Sequence, residues 1–131
     1  AGELRVIAGP EDGWFAAGAL DVLCAAPWRI SPESDRTGVR LRGTALARRA
    51  GDLLSVPVLP GHVQVPPSGQ PAILGPECGA LGGYPRIACV ISADRPRLAQ
   101  AFPGEAVRFV PIALDEARWL LSGQRALLAE V

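Results

Sequence analysis

Lysine is the first residue type that this sequence lacks. All 13 side chains in the combined Lys and Arg count are arginines. A phosphate-binding P-loop needs a lysine against the phosphates, and Schiff-base catalysis needs a lysine amine. A biotin carrier also needs a lysine, because the cofactor is attached to its side chain. The chain therefore performs none of these three tasks by itself.

Cysteine and histidine are also scarce. The widely spaced Cys24, Cys78 and Cys89 form no C-x-x-C pair, and His62 is the single histidine. This pattern argues against a disulfide framework and against a structural zinc site. We therefore expect no metal, a capping or surface role for His62, and cysteines that behave as small buried hydrophobes. A reducing cytoplasm is the simplest setting for such a chain.

Neither an excess of charge nor a long apolar run is present. The formal net charge is 0 and 49% of the residues are hydrophobic. Without an excess of basic over acidic side chains, we expect no positively charged surface for binding nucleic acid. The apolar runs stop well short of the roughly 20 residues that span a membrane. A length of 131 residues predicts one domain, residues 1–131, with its own hydrophobic core.

Short apolar or alternating segments, separated by glycine and proline, predict a sandwich or barrel. The predicted strands are residues 4–7, 28–30, 39–42, 55–59, 62–65, 72–74, 86–92 and 106–112. Helical patterns occur at residues 11–23, 44–50, 94–100 and 115–131. Alternation within the strands predicts that eight side chains face inward: Val39, Leu41, Val63, Val65, Ile73, Val90, Val107 and Phe109.

Four motifs follow one another in a recognisable order. They are S-D-R-T-G-V-R-L-R-G at residues 34–43, G-H-V-Q-V-P-P-S-G-Q-P at 61–71, G-G-Y-P at 82–85 and L-A-Q-A-F-P-G-E-A-V-R-F at 98–109. This set resembles the C-terminal half of the 5-oxoprolinase C subunit family, also described as allophanate hydrolase subunit 2, and the urea carboxylase carboxyltransferase region. The resemblance implies a mainly β fold, a cyclophilin-like β-barrel with short flanking helices. It also implies that residues 1–131 are the C-terminal half of the family's usual length.

The resemblance implies one part of an ATP-dependent 5-oxoprolinase, or of a biotin-dependent carboxyltransferase acting on a cyclic amide or urea-like substrate. Its implied partners are the missing N-terminal half and a sister subunit resembling allophanate hydrolase subunit 1. ATP or carboxybiotin would reach the site through those partners, and no cofactor would be bound covalently. The alternative is a non-catalytic regulatory module that binds the sister subunit. Relatives carry D-x-Q-T-T before G-G-Y-P, whereas residues 77–81 here read E-C-G-A-L, which favours the alternative slightly.

The motifs contain five candidate substrate-binding residues that suit an amide. Gly82 and Gly83 allow positive φ and close approach of a ligand, and Tyr84 offers a flat face with a hydroxyl. Gln64 and Gln70 each carry the donors and acceptor that match an amide or urea group. The structural alternatives are a plain turn at residues 82–85 and glutamines that satisfy loop backbone groups. If all five bind substrate, they should line one concave surface.

Asp35 and Arg36 are further candidates, because an arginine fork can hold a carboxylate or carboxybiotin. The structural alternative is an aspartate that caps a turn and an arginine that pairs with a nearby acid. No catalytic residue can be identified from the sequence. We expect the isolated chain to be inactive and to expose an apolar patch near Trp14, Phe15 and Trp119, larger than is usual for a monomer.

Overall fold

The computed structural model describes residues 2–120, which form short strands and short helices. The strands are β1 (Gly2–Ala8), β2 (Trp28–Ile30), β3 (Gly38–Arg42), β4 (Val56–Pro57), β5 (His62–Gln64), β6 (Ala72–Leu74), β7 (Leu81–Gly82), β8 (Arg86–Val90) and β9 (Ala106–Pro111). The α-helix α1 spans Ala19–Ala25, and 3-10 helices span Asp12–Trp14 and Arg95–Gln100. Residues 114–120 are also helical and are called α2. Within the described part of the chain, no helix has the length and apolarity needed to cross a membrane.

Seven strands close into a barrel in the order β1-β8-β5-β6-β3-β2-β9. The ring closes through a parallel pairing of β1 with β9, which sets Gly2 opposite Val107 and Val6 opposite Pro111. The other neighbours in the ring are antiparallel. Strands β4 and β7 form a separate two-stranded ribbon beside the barrel. The predicted mainly β barrel with short flanking helices is confirmed.

The barrel is filled by the side chains that alternation predicted. All eight predicted inward residues are buried, and Val39 is the most exposed of them at 6%. They pack in one cluster with Leu4, Val6, Leu23 and Trp28. Because successive side chains of a strand point to opposite faces, the residues between these core positions point outward and are available to line a site on the barrel surface.

Two of the predicted helices are wrong in extent. The helix predicted at residues 11–23 is divided into the 3-10 helix Asp12–Trp14 and α1, because Gly18 adopts a left-handed conformation with φ 82. Residues 44–50 contain no helix and instead run as irregular chain. There Leu46 donates its N–H to the carbonyl of Gly69, and Arg49 donates to that of Trp14. Backbone hydrogen bonds to neighbouring loops thus replace those of a helix.

The predicted apolar patch is only partly present. Trp14 and Phe15 are half-buried, and the Trp14 ring is covered by Arg49, whose guanidinium carbon lies 4.1 Å from the ring centroid. Trp119 on α2 is 73% exposed. The remainder of the helix predicted at residues 115–131 lies outside the described residues. The cation–π contact with Arg49 removes Trp14 from the candidates for a docking patch.

Asp94 stands at the start of the second 3-10 helix, but its side chain does not cap that helix. It accepts hydrogen bonds from Arg5 instead: from Nη2 at 2.6 Å, Nε at 2.9 Å and the backbone N–H at 2.8 Å. Burial acts to raise the pKa of Asp94, but the hydrogen bonds and charge of Arg5 outweigh it and hold that pKa below its ordinary value. The pair ties β1 to the helix that follows β8.

We expect Asp94→Asn to lower the free energy of unfolding by about 3 kcal/mol, because it removes one partner of a buried ion pair. The carboxylate is 1% exposed. Its folded pKa is depressed, so its contribution is complete above the ordinary value of about 4 and is lost as pH falls through the folded value. Urea denaturation of both proteins at pH 7 and near pH 3 measures the difference.

Glu77→Gln is the matched control, since it breaks an ion pair with Arg36 in which the side chains are 69% and 60% exposed. An exposed pair contributes little to stability, so this variant should unfold like the parent. Equal losses in the two variants would contradict the role assigned to Asp94.

Candidate functional site

A cleft of about 270 Å³ lies on the outer face of the barrel. Its floor crosses three strands, because Gln64 of β5 pairs with Ala72 of β6, and Ala72 pairs with Arg40 of β3. Val63 and Val39 on the same strands are buried in the core. The cleft lining consists of Thr37, Gly38, Arg40, Val58, Gln64, Pro66, Ala72, Leu74, Cys78, Gly79, Leu81 and Tyr84.

The wall of the cleft is the loop over residues 75–85, which hydrogen bonds hold to the barrel and to the ribbon. Val58 donates its N–H to the carbonyl of Ala80 at 3.1 Å, next to the pairing of β4 with β7. Val65 donates to the carbonyl of Pro85 at 3.0 Å. Both ends of the G-G-Y-P segment are therefore fixed, and Tyr84 stands at the rim with 45% of its surface exposed.

A buried ion pair anchors this loop where it joins β8. Arg86 follows Pro85 and forms two hydrogen bonds to Glu11, from Nε at 2.7 Å and from Nη2 at 3.0 Å. The two side chains are 12% and 11% exposed. Arg86 also donates from Nη1 to the carbonyl of Pro57 at 3.0 Å, which ties β8 to the ribbon. A bidentate pair fixes orientation as well as distance, so the ribbon and the loop are held together at the cleft.

Gln64 is the polar group at the centre of the cleft. The residue is 9% exposed, yet its side-chain amide makes no hydrogen bond to any group in residues 2–120. Its amide atoms are not fully enclosed by protein. Among residues 2–120, the one fully enclosed side-chain nitrogen or oxygen without a partner is Nη1 of Arg48. An amide of this kind keeps its donors and acceptor available. Because it lines the cleft and has no protein partner there, it can hydrogen-bond a ligand.

Gly82 touches Gln64 from the wall of the cleft. A Cβ atom at residue 82 would lie 2.7 Å from Nε2 of Gln64 and 2.9 Å from Cγ1 of Val58. At Gly83 the nearest heavy atom would be the carbonyl oxygen of Leu53 at 3.8 Å. Neither glycine has a positive φ, so the predicted positive φ of this pair is wrong. Residue 82 must be small because it packs closely against Gln64. Its backbone conformation does not itself require a glycine.

Gln70 lies outside this cleft. Its side-chain oxygen accepts from the N–H of Gly43 at 2.9 Å, and its Nε2 donates to the carbonyl of Gly43 at 3.0 Å. It lines a neighbouring depression together with Arg42 and Ser68. The structure thus brings Gln64 and Tyr84 together, as predicted. Gln70 lies in an adjoining depression that shares Arg40, Pro66 and Ala72 with the cleft. Neither Gly82 nor Gly83 is among the residues that line the cleft, so the expectation that all five share one surface is wrong.

Asp35 and Arg36 border the cleft but are not among the residues that line it. Asp35 accepts hydrogen bonds from the N–H and hydroxyl groups of Thr37, and these bonds lower its pKa. Arg36 pairs with Glu77 at 2.7 Å. Both residues line a groove of about 630 Å³ that is mostly apolar. The charged groups of that groove already have partners, because its other arginine, Arg95, donates to Ser92 and to the carbonyl of Pro60.

His62 and the three cysteines are half-buried. Nδ1 of His62 accepts from the N–H of Leu59 at 3.2 Å, the capping contact that the sequence predicts, and burial and the charge of Arg86 lower the pKa of His62. All three cysteines are half-buried and free. Burial raises the pKa of Cys24 to about 11 and also raises that of Cys89. Cys78 lines the cleft.

Sequence reasoning missed Arg40, Thr37 and Cys78 as cleft residues. Alternation does place Arg40 on the outward face of β3, between the buried Val39 and Leu41. The position of this residue beside Gln64, however, depends on the pairing of β3 with β6 and of β6 with β5, which no local pattern reveals.

Comparison with known proteins gives consistent results. The family model "Carboxyltransferase domain, subdomain A and B" matches residues 1–111. The chain is 44% identical over 115 residues to the 5-oxoprolinase C subunit of Escherichia coli K12, covering 87% of this chain and 37% of that protein. It is 28% identical over 136 residues to urea amidolyase of Lachancea kluyveri, covering 95% of this chain and 7% of that protein.

Among solved structures, the crystal structure of Kluyveromyces lactis urea carboxylase matches 95% of this chain and 12% of that chain. The TM-score is 0.87 at 23% sequence identity, so this likeness concerns the fold. The chain spans well under two thirds of the length of each relative, and the family model covers most of its residues. The chain therefore belongs to the carboxyltransferase domain family, subdomain A and B.

Proposed function

We propose that this chain is the amide-binding part of a multi-subunit enzyme, either an ATP-dependent 5-oxoprolinase or a biotin-dependent carboxyltransferase. The observation that carries the proposal is the largely buried, unpaired amide of Gln64 in a cleft on the barrel surface. The relatives support it, because one is named for 5-oxoproline and another for urea. Both compounds present a planar amide-type group.

The cleft suits a small ligand of this kind. Its volume of about 270 Å³ is just below the usual range of about 300–1,000 Å³ for ligand pockets. Gln64 offers a carbonyl oxygen and an NH2 group, which complement the N–H and C=O groups of a lactam or ureido group. Its NH2 group would also stabilise negative charge that develops on the substrate oxygen during acyl or carboxyl transfer. Tyr84 at the rim adds an aromatic face and a hydroxyl.

The acid–base chemistry must come from elsewhere. No carboxylate, histidine or lysine is among the described residues that line the cleft, and the sequence contains no phosphate-binding motif. The rest of the protein and a sister subunit resembling allophanate hydrolase subunit 1 would supply ATP or carboxybiotin and the catalytic groups. Two exposed apolar side chains suit such a partner: Leu54, which precedes β4 and is 87% exposed, and Leu81 of β7, which is 64% exposed.

A second candidate is a regulatory module that binds the sister subunit without catalysis. The same absence of acid–base groups in the described cleft favours it. In that case the cleft would bind a side chain of the partner rather than substrate. A complex with the sister subunit that forms tightly, shows no turnover and loses affinity on Gln64→Leu would support this module over the enzyme.

The isolated 131-residue chain should not turn over 5-oxoproline or urea when ATP is supplied. The reason is that the described cleft residues can bind a substrate but include no carboxylate, histidine or lysine for acid–base catalysis. Release of glutamate or ammonia, measured first with the chain alone and then with the sister subunit added, checks this expectation. Turnover by the chain alone would contradict it.

Gln64→Leu and Gln70→Leu should have opposite effects on stability and binding. The first removes an unpaired, largely buried amide, so the free energy of unfolding should be equal or higher while binding of 5-oxoproline is lost. The second removes two hydrogen bonds to Gly43 and should cost about 1 kcal/mol with binding intact. Urea denaturation and titration followed by ¹H–¹⁵N NMR spectra measure both quantities. Loss of binding in both variants, or in neither, would contradict the assignment of Gln64.

Gly82→Ala should weaken binding of 5-oxoproline by up to about tenfold, the value of one good hydrogen bond. The added methyl group would displace Nε2 of Gln64, 2.7 Å away. Gly83→Ala is the control, because its methyl group meets nothing closer than 3.8 Å and binding should be unchanged. The side-chain NH2 signals of Gln64 in the same spectra should move in the first variant and stay in place in the second.

A further inference from the structure

Arg40 is a charged group of the cleft that has no assigned partner. Its guanidinium forms no hydrogen bond or ion pair within residues 2–120. Other arginines on this side of the barrel do have partners: Arg36 pairs with Glu77, and Arg42 lies 3.6 Å from Glu33. The backbone groups of Arg40 are hydrogen-bonded to Ser34, so the strand is fixed while the side chain remains available.

Asp35 is an acidic group that is affected by the charge of Arg40, but it forms no ion pair with the guanidinium. Asp35 is close enough for the charge of Arg40 to help lower its pKa, but larger effects come from the hydroxyl and N–H of Thr37. The carboxylate oxygen Oδ1 accepts both of these bonds and a longer one from the N–H of Gly38. The carboxylate of Asp35 is therefore hydrogen-bonded within its own turn.

Arg40 and Gln64 lie on opposite sides of Ala72 along the floor of the cleft. Adjacent strands are about 4.8 Å apart, which puts the backbones of Arg40 and Gln64 about 10 Å apart. The small side chain of Ala72 leaves the space between them open. An amide acceptor and donor at one end and a positive charge at the other would match a molecule that carries both an amide and an acid.

We infer that Arg40 binds a carboxylate of the ligand whose amide group lies against Gln64, so that the cleft selects small planar amides that carry a carboxylate. The inference rests on the proposed amide site. 5-Oxoproline has both groups, whereas urea and 2-pyrrolidone have the amide-type group alone. A guanidinium fork is suited to a carboxylate because it can donate two parallel hydrogen bonds. Arg40 is thus a specificity-determining residue.

The test compares 5-oxoproline with 2-pyrrolidone, the same lactam without the acid. Titration of the purified chain followed by ¹H–¹⁵N spectra gives a dissociation constant for each, with the side-chain NH2 of Gln64 as the local signal. The parent should bind 5-oxoproline about tenfold more tightly, the low end for a hydrogen bond to a charged group. Arg40→Gln should remove that preference and leave the affinity for 2-pyrrolidone unchanged. Arg40→Lys should retain part of it.

Arg42→Gln is the matched control, since it removes the same charge from the same face of β3 outside the cleft lining. It should keep the preference. Equal affinity of the parent for both lactams, or loss of preference in both variants, would overturn the role of Arg40 while the amide site stands. If neither lactam moves the signals of Gln64, the proposed amide site fails, and the inference fails with it.

Discussion

The parallel pairing of β1 with β9 is the contact on which the remaining architecture depends. Each of the other neighbouring pairs in the ring is antiparallel, and without this pairing the seven strands would form an open sheet. Closure gives β1 and β9 neighbours on both sides, which removes the exposed edges that an open sheet would present. It also encloses Leu4, Val6, Val107 and Phe109 in one core.

Two ion pairs attach surface segments to the closed barrel. Arg5 of β1 holds Asp94 at the start of the second 3-10 helix, and Arg86 of β8 holds Glu11. The second pair lies directly after the G-G-Y-P segment, so the wall of the cleft is fixed to the same strand that packs against the core. A cleft assembled in this way is preformed, and a ligand would bind it without the cost of ordering a loop.

Most strands were predictable because their signals are local, whereas the choice of a barrel over a sandwich came from the family resemblance. Alternation of Val39 and Leu41 with arginines, and glycine or proline between segments, suffices to identify the strands and their buried faces. The cleft was predictable only in part. Gln64 and Tyr84 were found through their motif residues, but Gln70 has the same side chain and proved to be bound to Gly43. Arg40 became a candidate only when strand pairing placed it across Ala72 from Gln64.

The position of the cleft on the outer face has a further consequence. The strands β3, β5 and β6 each contribute alternate residues to the core and to the cleft, so the two sets of side chains never compete for the same space. Substitutions at Arg40, Gln64 or Ala72 can change what is bound while the packing of Val39, Val63 and Ile73 stays as it is. A barrel built this way allows ligand preference to diverge among relatives while the scaffold that positions the ligand is preserved.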